Sequence, residues 1–122
     1  MTVSLIAFRE SSAEPEAFAP APDRVLNGNP QQAAINHYAS AGDRLLAGEW
    51  RCDPGSWRVC YDPDEYEFCQ ILEGHVRLTD ETGLAREFRA GDAFVIEAGF
   101  RGVWETLSYC RKHYVICRLP VG

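Results

Sequence analysis

The stretch GSWRVCYDPDEYEFCQILEGHVRLTD, residues 55–80, decides the fold: it reads as short runs of Val, Ile, Leu, Phe, Tyr and Trp parted by Asp62-Pro63-Asp64 and Glu73-Gly74. Aromatic and β-branched side chains suit a pleated, half-buried surface, whereas Pro or Gly beside an acid turns the chain. The same texture continues outward, with turn chemistry at Asp53-Pro54-Gly55, Asp80-Glu81-Thr82-Gly83, Ala90-Gly91-Asp92 and Ala98-Gly99. It predicts strands near 48–52, 56–61, 66–72, 75–79, 84–88, 93–97, 102–107 and 112–118. Short strands at such intervals denote an all-β sandwich or barrel, and no heptad or internal repeat competes with that reading.

Ahead of this block the texture differs. Residues 1–30 hold Pro15, Pro20, Pro22 and Pro30 among Ala, Glu, Ser and Asn. That mixture supports no continuous helix and little strand, and predicts an arm draped over the domain or over a partner subunit. The Ala-rich stretch Gln31 to Ala47, with Ile35, Tyr38, Leu45 and Leu46, is compatible with a short helical turn or an irregular lead-in. The expected organisation is therefore an arm and lead-in over residues 1–41 and one domain over 42–122.

Composition bounds the function. A chain of 122 residues suits one domain with a real core, and 46% hydrophobic with 25% charged residues is a globular balance. The start MTVSLIAFRESS has neither a basic leader nor a long apolar run, and no stretch approaches the about 20 apolar residues of a membrane helix, so a cytoplasmic, non-membrane protein is expected. A net charge of -6 without a Lys/Arg cluster argues against nucleic acid as a partner. Five cysteines, Cys52, Cys60, Cys69, Cys110 and Cys117, form no C-x-x-C pair, and read as free thiols rather than as a disulfide or zinc framework.

Two segments, DEYEFCQILEGHVRLTDETG at 64–83 and GDAFVIEAGFRGVWETLSYCRKHYVI at 91–116, resemble the cupins, and among them the subgroup related to the ureidoglycine aminohydrolase cupin domain. Gly55, Tyr61, Pro63, Glu67 and Gly74 fall on the spacing of the first cupin motif, which has histidines where Tyr61 and Pro63 stand. Gly91, Glu97, Gly99, Gly102 and Thr106 fall on the second, with Gly102 at its histidine position. The resemblance spans roughly residues 42–118 and implies a cupin jelly-roll β-barrel.

It further implies an interior-facing set of Tyr61, Glu67 and Gly102, to which strand alternation adds Trp57, Cys69, Ile71, Trp104 and Thr106. Of the usual metal ligands only Glu67 survives, so no metal and no other cofactor is expected. His37, His75 and His113 lie off the motif positions and read as surface or structural residues. An acid amid Phe68, Cys69, Ile71 and Leu72 is costly to bury unpartnered: Glu67 is either a pocket acid or half of a structural salt bridge. Lys112, opening the last strand, is the candidate partner, with a surface lysine as the alternative. Trp57 and Trp104 would stack on a flat or sugar-like ligand or simply pack the core. Glu97, Arg101, Asp64 and Glu65 read as solvated turn charges.

Three functions follow as expectations. The first is a small-ligand binder using Trp57, Tyr61, Glu67, Cys69, Trp104 and Thr106. The second is an enzyme on a ureido, amino or sugar-like substrate, with Glu67 as general acid/base and Lys112 as its charge partner. The third is a structural module whose barrel is packed shut. A homodimer is expected, its arm burying Leu5, Ile6 and Phe8 on the neighbour.

Overall fold

The computed structural model describes residues 3–120. Its strands are β1 (Glu16–Phe18), β2 (Val25–Gly28), β3 (Gln32–Ala39), β4 (Leu45–Cys52), β5 (Gly55–Cys60), β6 (Glu65–Asp80), β7 (Ala85–Arg89), β8 (Ala93–Ile96) and β9 (Arg101–Arg118). One-turn 3₁₀ segments lie at Phe8–Glu10, Pro22–Arg24 and Ala41–Asp43. No helix of the described residues is long and apolar enough to cross a membrane.

All pairings are antiparallel, and they describe two leaves joined along the long β6–β9 pair. The first leaf runs β1-β3-β4, then the C-terminal half of β9, the N-terminal half of β6, and β8. The second runs β2-β5, the N-terminal half of β9, the C-terminal half of β6, and β7. This is the cupin jelly roll.

Two pairs of predicted strands are each one continuous strand. The runs at 66–72 and 75–79 are one strand, β6, and those at 102–107 and 112–118 are one strand, β9. Glu73-Gly74 is instead a bulge, where the β6–β9 register shifts between Ile71 and Val76. Gly74 sits at φ 97°, and a Cβ there would lie 2.2 Å from the Tyr109 carbonyl oxygen, so only glycine lets the two long strands approach. The bulge also switches parity: β6 buries odd residues Glu67, Cys69 and Ile71 before it, and even residues Val76 and Leu78 after it. One bent strand thereby faces the same interior with both halves.

Short strands of the N-terminal region join the sheet of the domain. β1 pairs with β3, and β2 pairs with β5, while the stretch Gln31 to Ala47 holds β3, the one-turn 3₁₀ segment at Ala41–Asp43 and the start of β4. The sheet thus extends ahead of residue 42. Phe8 packs on its own chain's His37 and His113, with ring centroids 4.6 and 5.2 Å apart, rather than standing free for a neighbour. Leu5 and Ile6 are exposed.

The core between the leaves joins Trp50, Trp57, Trp104, Ile71, Val76, Leu78, Ile96 and Tyr114 with the buried thiols of Cys52, Cys69 and Cys110. All five cysteines are free.

Candidate functional site

Register places the site. Lys112 of β9 stands opposite Ile71 of β6, while Glu67 stands opposite Ile116, two repeats of the pleat further along the same face. The lysine's long side chain covers that diagonal: Nζ donates to Glu67 Oε2 at 2.8 Å and passes 3.4 Å from Cys69 Sγ. Both charged residues are almost sealed from solvent, Glu67 at 5% and Lys112 at 4% exposure. The hydroxyl of Tyr61, at the end of β5, donates to the other carboxylate oxygen, Oε1. Of the two open readings, Glu67 is a paired acid and Lys112 its partner.

Two tryptophans flank the ammonium and a third packs against both of them. Trp50 on β4 is Lys112's direct cross-strand neighbour, and Trp57 pairs across to Trp104 in a stacked contact with ring centroids 6.3 Å apart. Nζ lies 4.5 Å from the Trp50 ring centroid and 4.3 Å from that of Trp104, within cation–π range of both. The Trp50 indole N–H donates to Gln32 Oε1 at 2.8 Å, and the Tyr114 hydroxyl donates to Asn36 Oδ1. Gln32, Trp50, Trp57, Tyr61, Glu67, Trp104, Lys112 and Tyr114 line a cavity of about 380 Å³, with Glu16, Phe18 and Glu65 toward its rim.

The electrostatics follow from burial. Desolvation, then the Glu67 charge and hydrogen bond, push the Tyr61 phenol well above its usual 10, so it is a neutral donor. Burial by itself drives the Lys112 ammonium toward neutrality, but the Cys69 sulfur, the Glu67 carboxylate and the hydrogen bonds to both outweigh it and hold Lys112 above the ordinary lysine value. Burial pushes the Cys69 thiol itself up to about 12, so it is uncharged at neutral pH and Glu67 is the anion that keeps the ammonium.

Two candidate residues stand behind the cavity rather than in its wall. Cys69 is fully buried under Lys112, and Thr106 accepts the Trp104 indole N–H at 3.0 Å while donating to Cys52 Sγ at 3.3 Å. Trp50, Gln32, Asn36 and Tyr114 were not among the candidates. Trp50 shares the inward parity of Cys52 in β4 and was detectable on that ground, whereas Gln32 and Asn36 sit in a strand that an Ala-rich sequence does not announce. His75 bonds Glu87 at 2.6 Å on the surface, and neither His37 nor His113 lines the cavity. Asp64 and Glu65 pair with Arg118, at 2.9 and 3.9 Å. Glu65 nonetheless also lines the cavity.

A cupin metal does not fit these residues. Both Glu67 oxygens are engaged by Tyr61 and Lys112. Pro63 lies in an exposed turn. Gly102, expected to face the interior, does not: a Cβ there would lie 2.1 Å from the Thr79 carbonyl oxygen and 3.0 Å from the Phe100 ring, so a side chain has no path to the cavity. Among the described residues no three His, Cys, Asp or Glu side chains gather as a metal site. Gly102→Ala alone is expected to destabilise the fold by about 1–3 kcal/mol through overpacking. Urea denaturation measures it, and unchanged stability would mean that the space at 102 is open.

Comparison with known proteins agrees with this architecture. A solved structure of a DUF861-family protein of unknown function from Pseudomonas syringae pv. tomato superposes with a TM-score of 0.75 at 24% identity, over 88% of this chain and 45% of that one. This chain thus spans about half of that relative's length. A DUF861-family protein from Thermotoga maritima is 35% identical over 54% of this chain and 73% of its own, with a TM-score of 0.51. The Clostridium difficile EutQ protein matches at 14% identity and a TM-score of 0.62, over 75% of this chain and 66% of that one. No curated protein matches the chain. The family description "EutQ-like cupin domain" matches residues 39–114, more than half of the sequence. With its jelly roll and the positions of both motifs, 55–74 and 91–106, inside that match, the chain belongs to the EutQ-like cupin domain family.

Proposed function

We propose that this domain binds a small polar metabolite in the tryptophan-lined cavity, oriented by the Glu67–Lys112 pair and without the histidine metal site of other cupins. The observation that carries the reading is a buried ion pair, with both carboxylate oxygens engaged, set in the wall of a cavity of about 380 Å³. Apolar pockets with a few convergent polar groups are the usual form of small-molecule sites. A core with no ligand to hold would be at least as stable with two well-packed apolar side chains in their place. Trp57, Tyr61 and Trp104 are the contact residues, with Cys69 and Thr106 supporting them from behind.

The enzymatic alternative draws on the resemblance to the ureidoglycine aminohydrolase cupin domain, with Glu67 as general acid/base and Lys112 as partner. A general base must reach the proton it removes, and here each Glu67 oxygen already accepts from Tyr61 or Lys112. That geometry favours binding over proton transfer. The test is mass spectrometry of small molecules released when the purified protein is denatured: one metabolite near one per chain is expected, and strongly reduced in Trp57→Ala. Nothing enriched in the native protein over the variant would remove the reading in favour of a packed-shut module.

The same reading makes the protein a cytoplasmic homodimer. Free cysteines suit a reducing compartment. Phe68 and Val95, directly paired on the outer face of the first leaf, are 42% and 62% exposed, and Leu5 and Ile6 add further apolar surface for a second copy to cover. Light scattering at micromolar concentration is expected to give twice the chain mass, and a monomer would count against it.

A further inference from the structure

We infer that the cavity selects an uncharged ligand carrying a carboxamide-type carbonyl, with its oxygen toward the Lys112 floor and its N–H groups toward the Glu16–Glu65 rim. This rests on the binding function proposed above and adds the ligand's chemical class. The inventory of hydrogen-bonding groups in the wall leads to it. The acceptors on the floor are engaged: Glu67 by Tyr61 and Lys112, and Gln32 Oε1 by the Trp50 indole N–H. Because indole nitrogen only donates, that bond fixes the Gln32 amide with its NH₂ group on the other side. The groups left over are donors. Among the described residues Gln32 Nε2 and Trp57 Nε1 meet no protein acceptor, and an ammonium with three N–H bonds uses two of them, on Glu67 and Cys69. All three donors belong to residues more than nine-tenths buried, Gln32 at 8%, Trp57 at 7% and Lys112 at 4% exposure. Neither Gln32 Nε2 nor Trp57 Nε1 is sealed in protein, since among the described residues the sole enclosed side-chain N or O without a partner is His37 Nδ1. Buried donors that border a cavity call for an acceptor inside it.

Charge then narrows the acceptor. The cavity is lined by Glu16, Glu65 and Glu67 against Lys112 alone. A carboxylate would enter a site of net negative charge and compete with Glu67 for its only cation. A cation would meet the ammonium already seated between Trp50 and Trp104. A neutral amide avoids both, and its polarity runs the same way as the cavity's, acceptor to the donor-rich floor and donors to the acidic rim.

Three probes of matched shape and different charge test this: benzamide, benzoate and benzamidine hydrochloride, titrated at pH 7 into the protein and followed by the Trp57 indole N–H resonance, assigned with Trp57→Phe. Benzamide is expected to shift that resonance and to bind at least tenfold more tightly than either ion. Gln32→Glu, which keeps an acceptor for Trp50 and removes the free NH₂ donor, is expected to weaken benzamide at least tenfold. Tighter binding of benzoate or benzamidine, or an unaffected Gln32→Glu variant, overturns the neutral-carbonyl assignment and leaves a working binding site. No resonance shift with any of the three overturns it together with the binding function on which it rests.

Discussion

Replacing Lys112 by Met is expected to destabilise the fold by about 3–5 kcal/mol at pH 7, the range found when one partner of a buried ion pair is removed. Met preserves most of the stem's packing, so the loss reads the charge and not the volume. It leaves Glu67, at 5% exposure, with only the Tyr61 hydroxyl as a partner. Adding Glu67→Gln to Lys112→Met is expected to recover at least about half of that loss, because the second change removes the stranded charge. Urea denaturation of the native protein, both single variants and the double variant closes the cycle. Additive losses would show that the two residues are not coupled. Recovery in the double variant would show that folding tolerates a neutral pair, which places the reason for keeping the charges in what the cavity holds.

The second large effect is alkaline. Stability is expected to fall steeply between pH 8 and pH 11, and the fall should be shallower in Cys69→Ala. Burial raises the thiols of Cys52 and Cys69 to about 12 and that of Cys110 to about 11, against 9.0 for a free thiol. Above pH 9 the unfolded chain therefore binds fewer protons than the folded one, and folding stability decreases as pH rises. At two pH units above the free-thiol value, Cys69 alone shifts the balance by about 3 kcal/mol. Lys112 acts in the same direction, since its raised value makes the pair's contribution complete below 10.5 and lost only as the pH climbs through the folded value. Denaturation curves at pH 8 and pH 11 for the native protein and Cys69→Ala measure it. Equal drops in the two proteins would contradict the assignment to Cys69.

The fold was legible in the sequence because the spacing of its motif residues survives changes of identity. The strands from β4 to β9 were all anticipated, with the exception that β6 and β9 were each divided in two. Glu73-Gly74 carries the residues of a turn and forms a bulge instead, since the choice depends on how closely Tyr109 of β9 approaches, a contact 35 residues away in sequence. β1 to β3 were missed for a different reason. Ala, Asn, Gln and Pro have little intrinsic preference for strand, and these segments are strands because β4 offers an edge to β3, β3 in turn to β1, and β5 to β2. The Glu67–Lys112 pair was accessible from parity and the cost of a lone buried acid. Gln32 was not, because its role comes from the Trp50 indole 18 residues further on. Parity also misjudged Gly102, where the Cα–Cβ direction points at the Thr79 backbone and a residue without a side chain gives no sign of it.

At the centre of the account is a cation supplied by the chain itself: the Lys112 ammonium neutralises Glu67 at the floor of the cavity, where cupins with intact histidine motifs would be expected to place a metal. The direct measurement is elemental analysis of protein purified without chelator, then incubated with excess Mn²⁺ or Zn²⁺ and freed of unbound ions. The account predicts far less than one metal per chain for both ions. Near one metal per chain, lost in Glu67→Gln, would contradict it.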